Sequence, residues 1–466
     1  MRIAVVGGGP TGLYLGILAK LRSGGRDDVV LWERNPRGRT HGFAVTFGED
    51  LLDDLYRCDP VSARELRAAA RLWNAQSVVV GDARPVHIGG KYGYSIARVE
   101  MIDLLTRRAE QLGVDLRFGT TAPAREDIDA DVVVAAGGAG SGLREQRAEH
   151  FGTTITTGES PYMWLGTDRD SATFLFAYER TAAGWISIHV YPSSNGISTC
   201  IVDCEQPTWR GLGFDTMAGG DAIRTVESIF SRALGGHRIL DPPSGAAQQP
   251  WRRFREIRNL TWRDGNLVLA GDAAHTTHFG IGSGTQLAMQ DAVGLADSLY
   301  GPARDTADLT DPHGYGAALA AYDARRRAVL GPIQDMARRN MHWFEQANRR
   351  LERGEDPVEF AWALLGRRGD MGPLHYQLHR ATQIPALRQV RRGLTTARRV
   401  RRQARRRDRA AAGVPQVQGV PRKPGVAQEP GVAQEPGVAQ ERGVPQEPGV
   451  SQKPGIPQQP GVPQER

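Results

Sequence analysis

Residues 2–21 read RIAVVGGGPTGLYLGILAKL, a short apolar run, a cluster of glycines and a second apolar run. The first run predicts a buried strand and the second a helix, with Gly7, Gly9 and Gly12 forming a GxGxxG turn between them. The first glycine permits a tight turn, the second lets backbone amides approach a pyrophosphate, and the third allows close packing of helix on strand. The pattern predicts a dinucleotide-binding unit.

A second predicted strand, Asp28 to Glu33, completes a βαβ unit and ends on an acid. Glu33 stands 21 residues beyond Gly12, where a carboxylate can accept hydrogen bonds from a ribose diol. A glycine-rich turn beside a solvated glutamate is the alternative, but strand, helix and acid in this order favour a nucleotide. The fingerprint alone does not separate NAD from FAD.

A second glycine-rich segment lies far downstream. Asn266–Ala270 predicts a short strand, and Gly271–His275 and Phe279–Thr285 follow it before a helix. The carboxylate of Asp272 suits the ribityl hydroxyls of a flavin dinucleotide, and the positive end of the next helix would stabilise a reduced flavin. Taken alone, the segment is equally consistent with a strand, a turn and a helix with a capping aspartate.

Together the two glycine segments resemble the flavoprotein aromatic hydroxylases typified by p-hydroxybenzoate hydroxylase, over about residues 1–350. The stretches Glu33–Asn35, Gly42–Phe47 and Thr276–Thr285 look most like salicylyl-CoA 5-hydroxylase, the 2-aminobenzoyl-CoA monooxygenases and the violacein-pathway tryptophan hydroxylase. The general family has proline at the position of Phe279, and the phenylalanine at this position resembles that subgroup.

The family's middle motif is an Asp-Gly pair after a strand, and this chain departs from it. Asp131–Ser141 matches the motif with Gly137 in place of the aspartate. In the family the segment helps to bind both FAD and the nicotinamide nucleotide, so the replacement leaves the residue contacts of NADPH or NADH open. Arg144 keeps the motif's arginine. Arg98 matches a family arginine that contacts the flavin cofactor, and a surface arginine near a helix start is its alternative.

The resemblance implies FAD as cofactor, NADPH or NADH as co-substrate, and hydroxylation of an aromatic ring by O2 through a flavin C4a-hydroperoxide. The substrate would be an aryl-CoA or carrier-bound aromatic acid, or an indole such as tryptophan. Two rivals stay open, a flavin reductase or dehydrogenase that inserts no oxygen and a non-catalytic flavin-binding scaffold. The residues assigned to cofactor binding are Gly7, Gly9, Pro10, Thr11, Gly12, Glu33, Arg34, Arg98, Asp272, Gly282 and Gly284.

No side chain is singled out as a catalytic base, because in this chemistry the cofactor carries the difficult step. His41, His189 and Tyr191 are the candidates for substrate contacts, each with a structural role as the alternative. His275 and His278 are too poorly accompanied by cysteines or carboxylates to indicate a metal site. We therefore expect no metal.

The expected fold is α/β, a Rossmann-type FAD-binding domain interleaved with an antiparallel-sheet substrate domain, followed by C-terminal helices and a disordered tail. Alternating β-rich segments predict strands at Tyr162–Gly166, Thr173–Tyr178, Trp185–Tyr191 and Ile197–Val202. Two helices are expected at 315–330 and 333–351. The chain is expected to consist of a body at 1–387, an arginine-rich arm at 388–412 and a repeat tail at 413–466. Within the body, the FAD-binding segments are expected at about 1–75, 98–150 and 255–310. The substrate sheet is expected at about 76–97 and 151–254, and the C-terminal helices at 311–387.

The charge is concentrated at the C-terminal end. The chain carries a net +7, and residues 388–466 carry +10, which leaves −3 for residues 1–387. Residues 388–409 contain eleven arginines and no aromatic residue for base stacking, so a solvated helix is favoured over a nucleic-acid site, with an acidic partner as a further possibility. Residues 413–466 form nine proline-rich hexapeptides, which predict a solvated tail.

The sequence contains no apolar run of the roughly 18 to 20 residues that a membrane span requires. Its first residues already form the predicted strand and leave no room for the charged and apolar regions of a signal peptide. We therefore expect a cytoplasmic protein.

Overall fold

The computed structural model describes residues 1–40, 42–241, 251–301, 315–366 and 373–411. The strands are β1 (Arg2–Val6), β2 (Asp28–Glu33), β3 (Ala44–Phe47), β4 (Arg71–Trp73), β5 (Gln76–Val80), β6 (Val86–Ile88), β7 (Gly93–Ala97), β8 (Asp115–Phe118), β9 (Val132–Ala135), β10 (Thr154–Thr167), β11 (Phe174–Thr181), β12 (Gly184–Tyr191), β13 (Ser198–Cys204), β14 (Ile239–Leu240), β15 (Arg252–Arg258), β16 (Arg263–Asp264) and β17 (Leu267–Leu269).

The helices are α1 (Pro10–Ser23), α2 (Glu49–Cys58), α3 (Pro60–Ala69), α4 (Arg98–Gln111), α5 (Gly142–Gln146), α6 (Ala148–Phe151), α7 (Gln206–Gly211), α8 (Gly219–Ile229), α9 (Ser231–Leu234), α10 (Gly284–Leu299), α11 (Gly316–Glu345), α12 (Ala347–Glu352), α13 (Pro357–Gly366), α14 (Pro373–Ala381) and α15 (Pro385–Ala411).

The first sheet has six strands in the order β16-β17-β9-β1-β2-β8. β1 pairs in parallel with β2 and β9, and β9 pairs in parallel with β17. All four residues of β9 are buried and apolar, as expected for an inner strand of a parallel sheet covered on both faces. The strands come from separate stretches of the chain, which confirms the expected interleaved Rossmann-type domain.

The second sheet has the order β14-β10-β13-β12-β11-β5-β6, with β15 added along β10. Its central pairs are antiparallel, and the four strands expected there correspond to β10, β11, β12 and β13, of which β11 and β13 begin one residue later than expected. Alternate side chains of β10 to β13 pack on α8 and α9 in one apolar cluster that includes Met163, Ile188 and Phe230. The opposite face is rich in aromatic rings. A smaller third sheet has the order β3-β7-β4, and its strand β3 packs on the second sheet.

The two helices expected at 315–330 and 333–351 are joined through Pro332 into one long helix, α11, and the break falls instead at Gln346, before α12. A proline in a helix interior removes one hydrogen bond and favours a break. Here both sides of the proline are fixed by packing, since Leu330 and Met341 are buried and the Gln334 side chain donates to the carbonyls of Ile257 and Thr276. Tertiary contacts therefore override the local signal.

The arginine-rich segment is helical, as α15, and it is not fully solvated. Arg402 and Arg406 form ion pairs with Asp53 of α2, and these are extended by Asp50 and Glu49. Acidic side chains of the same chain thus pair with part of the arm, and a separate acidic partner stays a prediction. The repeat tail 413–466 lies outside the described residues.

Within the described ranges, no helix has both the length and the apolar character needed to cross a membrane. The expected cytoplasmic location stays a prediction.

Candidate active site

The first glycine turn is packed so tightly that only glycine fits at two of its positions. Gly7 has φ +123°, and a Cβ there would lie 2.3 Å from the Ala136 carbonyl oxygen at the end of β9. A Cβ on Gly12 would lie 2.1 Å from the Gly7 oxygen. At Gly9 a Cβ would meet no atom within 4 Å. The turn therefore leaves open space at Gly9, as the backbone approach of a ligand requires.

Glu33 lies beside this turn at the end of β2. Its carboxylate accepts hydrogen bonds from the Gly8 amide at 2.8 Å and from the amide and side chain of Asn35 at 2.8 and 2.7 Å. The donors fix its position next to the glycine turn, and carboxylate oxygens retain further lone pairs for a ribose hydroxyl. Arg34 is exposed.

The second glycine segment meets the first in the fold. Gly271 has φ +64°, and a Cβ there would lie 2.4 Å from the Thr11 Oγ1 atom at the start of α1. The same Thr11 hydroxyl donates to the Ala288 carbonyl of α10 at 3.2 Å. Pro10 is buried as the first residue of α1. The two glycine segments, more than 250 residues apart in the sequence, are therefore in direct contact.

Asp291 holds the turn at Gly271, a role that the sequence analysis missed. Its buried carboxylate accepts from the Gly271 amide at 2.8 Å, and it pairs with His275 Nε2 at 2.7 Å and with Arg326 at 2.7 Å. Burial alone would raise the pKa of Asp291, but His275 and Arg326 hold that pKa below its usual value. An acid inside α10 was visible in the sequence, but its partners come from the glycine segment before α10 and from α11 after it.

Arg98 and Asp272 are brought close enough to interact electrostatically. Burial lowers the pKa of Arg98, and Asp272 and Tyr191 partly oppose that shift. The Asp272 side chain reaches solvent, yet the surrounding protein removes enough water to raise its pKa, against the opposing charges of His275 and Arg98. Within the described residues the buried Nε of Arg98 has no hydrogen-bond acceptor.

Gly282 and Gly284 lie between the small sheet and α10. Gly282 has φ +61°, and its carbonyl accepts from the Thr46 hydroxyl of β3 at 2.9 Å. Gly284 is the first residue of α10. These contacts hold the start of α10 against β3.

These observations fit an FAD molecule. Gly9 offers open backbone near the Glu33 carboxylate for a diphosphate and ribose, and Asp272 offers acceptors for ribityl hydroxyls. The unpaired Nε of Arg98 is a donor that a bound cofactor can satisfy. Each group that the cofactor needs is therefore present in a set of neighbouring segments.

The middle motif retains its arginine in a buried position. Arg144 is fully buried, and its Nη2 donates to the Ala139 carbonyl at 2.7 Å. Gly137 has φ −74°, and a Cβ there would meet Ser141 only at an ordinary contact distance of 3.5 Å. The missing aspartate is therefore not excluded by space.

An aromatic wall lies on the inner face of the second sheet. Tyr162, Trp164, Phe174 and Tyr191 belong to one cluster with Phe279 of the second glycine segment. The rings of Tyr162 and Phe279 are 4.8 Å apart, and those of Phe174 and Tyr191 are stacked at 5.1 Å. We call these five side chains the aromatic wall. Flat apolar surfaces of this kind suit an aromatic ring.

A buried polar group lies on the same face of the sheet. Asp203 lies 3.5 Å from His189 Nε2 and accepts a hydrogen bond from the Ser187 hydroxyl. Burial raises the pKa of Asp203 to about 7, although the Ser187 hydrogen bond lowers it. The acid therefore changes charge near neutral pH, which could not be read from its place in an apolar strand.

The three candidates for substrate contacts have different environments. His189 is buried between the rings of Phe176 and Phe344, each 4.9 Å away. Burial raises the pKa of Tyr191, whose hydroxyl donates to the Ala44 carbonyl at 3.1 Å. His41 lies outside the described residues. In the described part of the chain no group of three or more metal-ligating side chains is gathered together.

Comparison with known proteins places these features in a family. A model of an FAD binding domain matches residues 116–337. Salicyloyl-CoA 5-hydroxylase of Streptomyces sp is 34% identical over 384 residues, which cover 80% of this chain and 71% of the relative. The 3-hydroxy-4-methyl-anthranilyl-[aryl-carrier protein] 5-monooxygenase of Streptosporangium sibiricum is 35% identical over 344 residues, 74% of this chain and 89% of the relative.

A solved structure supports the fold. The 2-methyl-3-hydroxypyridine-5-carboxylic acid oxygenase matches with a TM-score of 0.58 at 19% identity, over 76% of this chain and 93% of that chain. At this identity the match supports the architecture alone.

Proposed function

Since the chain belongs to the family of FAD-dependent aromatic monooxygenases, which hydroxylate their substrates with O2 and NAD(P)H, we propose that its own substrate is an aromatic acid presented as a thioester, on CoA or on a carrier protein. When bound, FAD supplies hydride acceptance from the nicotinamide nucleotide and the activation of O2. The protein must bind the ring, orient it and exclude water.

The observation that carries the proposal is that none of the five side chains of the aromatic wall is a cation. The guanidinium groups that act on it come from other elements, Arg98 of α4 near Tyr191 and Arg252 of β15 near Tyr162, and Arg98 is assigned to the cofactor. A free aromatic acid or a free amino acid brings a carboxylate, and a desolvated carboxylate needs a positive partner. Among the side chains of β10 to β13 that form the wall and its polar neighbours, the ionisable groups other than tyrosine are His189 and Asp203, and none is lysine or arginine. A thioester removes the negative charge, so its acyl group suits this surface.

Two relatives support the thioester. The names of the Streptomyces and Streptosporangium proteins specify an acyl group on CoA and on a carrier protein, respectively. We extend that class of substrate to this chain because an uncharged thioester suits a wall whose own side chains include no cation.

We further propose how the cofactor is held. The Gly7–Gly12 turn and the start of α1, with Pro10 and Thr11, would receive the diphosphate at the positive end of the helix. Glu33 would bind the adenosine ribose with exposed Arg34 nearby, and Asp272 the ribityl chain. Arg98 would donate its free Nε to the cofactor, while Gly282 and Gly284 present the start of α10 to the flavin ring.

We propose His189 as the polar contact nearest the substrate ring, with Asp203 fixing the orientation of its imidazole. Tyr191, whose hydroxyl is committed to the Ala44 carbonyl, would form part of the wall and hold β3 in place. His41 stays a candidate from the sequence.

The test is a substrate panel with the purified FAD-loaded protein. Salicyloyl-CoA, anthraniloyl-CoA, the two free acids and free tryptophan are compared by NADPH oxidation and by mass spectrometry of the products. We expect a hydroxylated product from a thioester at least about 100-fold more efficiently than from the corresponding free acid, because the buried carboxylate is costly. Faster hydroxylation of tryptophan or of a free acid would overturn the proposal.

A further inference from the structure

A small depression lies where α15 packs against the body. It is partly open to solvent, and its enclosed part has room for about one water molecule, so a larger group would bind at its mouth. We call it the α15 pocket. The pocket is lined by Asn74, Tyr92, Arg392, Thr395, Thr396 and Arg399.

Each of the six lining residues has a hydrogen-bonding group at the end of its side chain, and two of them are arginines. Arg392 and Arg399 form no salt bridge with a described carboxylate, in contrast to Arg402 and Arg406 on the same helix. Among the described residues the buried Nε of Arg399 also lacks a hydrogen-bond partner. Tyr92 interacts with Glu49, but that acid is paired with Arg406. Two uncompensated guanidinium groups with hydroxyl and amide donors fit a phosphate group.

α15 is held firmly enough to present this pocket. Before its first turn, Gln383 exchanges two hydrogen bonds with the backbone of His87, at 3.0 and 2.9 Å. Near its C-terminal end, Arg402 and Arg406 pair with α2. The pocket lies between these two anchors.

One indole ring, that of Trp73, lies next to both the pocket and the aromatic wall. Trp73 is the last residue of β4 and directly precedes Asn74 of the pocket, and its ring packs on Phe174 of the wall with centroids 5.6 Å apart. A Cβ on Gly93, the neighbour of Tyr92, would lie 2.5 Å from the same indole. Trp73 therefore contacts the wall and directly adjoins residues of the pocket.

Trp73 itself points to a ligand between the two sites. Its ring is buried, and in the described part of the chain its Nε1 donor has no acceptor. A buried indole N–H usually has an acceptor; in this chain the Nε1 donors of Trp164, Trp185, Trp209 and Trp251 also lack one among the described residues, so it is the place of Trp73 between the two sites that matters. A chain with amide carbonyls running from the wall to the α15 pocket would supply an acceptor.

We propose that the α15 pocket binds the phosphate of a phosphopantetheine arm whose acyl group lies on the aromatic wall. A pantetheine arm is about as long as four to five extended residues, roughly 15 Å, and it carries two amides before its phosphate. This inference rests on the proposed thioester substrate and adds where the arm and its phosphate bind. The phosphate can belong to CoA or to a carrier protein, since both have the same arm.

The test uses the full FAD-loaded chain with Arg392→Ala, Arg399→Ala and, as matched control, Arg398→Ala, an exposed arginine of the same helix. Salicyloyl-CoA is compared with the salicyloyl thioester of N-acetylcysteamine, which lacks the phosphate. We expect KM for salicyloyl-CoA to rise about 10-fold in each pocket variant, with kcat and the kinetics of the short thioester unchanged. Arg398→Ala should leave all of these values unchanged.

Binding of CoA alone, measured by calorimetry, separates this inference from the proposed function. If CoA binding weakens about 10-fold in Arg399→Ala but no thioester is hydroxylated by the unmodified chain, the pocket stands and the proposed function fails. If thioesters are hydroxylated and the pocket variants match Arg398→Ala with both CoA and an acyl-loaded carrier protein, the pocket assignment is wrong. If the pocket variants weaken binding of both the acyl-CoA and the acyl-loaded carrier protein, the pocket binds the phosphate that the two share. If they weaken binding of CoA alone, the pocket binds the CoA diphosphate.

Discussion

Arg98 is the residue whose environment depends most directly on a bound cofactor. Its Nε is buried without an acceptor among the described residues, so the protein alone bears a desolvation cost that a ligand can offset. We expect Arg98→Gln to weaken FAD binding about 10- to 100-fold, while the apoprotein loses no stability. Flavin fluorescence during titration of the apoprotein measures this, with the exposed Arg107→Gln of α4 as control. Equal FAD affinity in the two variants would contradict the assignment.

Asp203 gives a second prediction, in the pH dependence of stability. Burial raises its pKa to about 7, so the folded protein keeps a proton that the unfolded chain loses at lower pH. The protonated Asp203 side chain therefore makes its full contribution to the free energy of unfolding at acidic pH, and this contribution is lost as the pH rises towards 7. We expect the free energy of unfolding of Asp203→Asn, relative to that of the unmodified protein, to be about 2–3 kcal/mol higher at pH 8 than at pH 5.

Urea unfolding at the two pH values measures the Asp203 effect, and the exposed Asp221→Asn should show no such difference. A gain from Asp203→Asn that is the same at both pH values would show that its carboxyl is not titrating in this range.

At the residue scale, the sequence was most informative where the chemistry is local. Gly7 and Gly12 could be predicted because a GxGxxG turn between a strand and a helix is a local sequence pattern, although the atoms that exclude a side chain at Gly7 belong to distant Ala136. Asp291 and Asp203 could not, since no local pattern indicates their hydrogen-bond partners, which lie 16 to 35 residues away on neighbouring elements. Gly137 remains a departure from the family motif, and the space beside it would admit the missing aspartate.

At the scale of elements, α15 illustrates how charge at long range defeats a local prediction. Its many arginines predict self-repulsion, yet α2 offers Glu49, Asp50 and Asp53 to the same helix. Neither segment indicates the other by periodicity. The continuous α11 is a similar case, because buried side chains on both sides of Pro332 outweigh the missing hydrogen bond.

The ion pairs of α15 give a prediction at this scale. The double variant Arg402→Ala, Arg406→Ala leaves Asp53 without its partners, and we expect α15 to separate from α2 while the body stays folded. Trypsin cleavage within residues 385–406 should become about 10-fold faster. The double variant Arg398→Ala, Arg401→Ala removes the same charge from exposed positions and should change the cleavage rate little. Equal rates in the two double variants would mean that the ion pairs do not hold the helix.

For the whole molecule, the order of sheets was predictable and the roles of the C-terminal segments were not. The parallel and antiparallel sheets follow from alternation and from continuous apolar runs, as in β9 and β12. The sequence favoured a solvated arginine-rich helix that makes no contact with the body. The docked helix instead packs on the body, and its pocket adjoins Trp73, whose ring packs on Phe174 of the aromatic wall.

Two truncations separate the functions of the C-terminal segments. Deleting residues 412–466 should leave flavin content and turnover nearly unchanged. Deleting residues 388–466 should also retain the flavin, because the cofactor contacts lie in the first 300 residues, but KM for an aryl-CoA should rise at least about 10-fold. Absorbance of the purified proteins and steady-state kinetics measure both effects. A colourless product of the longer deletion would mean that α15 is needed for the FAD-binding fold.

The most direct test of the central claim is the fate of O2 with a thioester substrate. Purified FAD-loaded protein is given NADPH, salicyloyl-CoA or anthraniloyl-CoA and ¹⁸O2, and the acyl product is analysed by mass spectrometry. We predict one ¹⁸O atom on the aromatic ring of the product. NADPH oxidation that yields only hydrogen peroxide, or an oxidised product without label, would contradict the account.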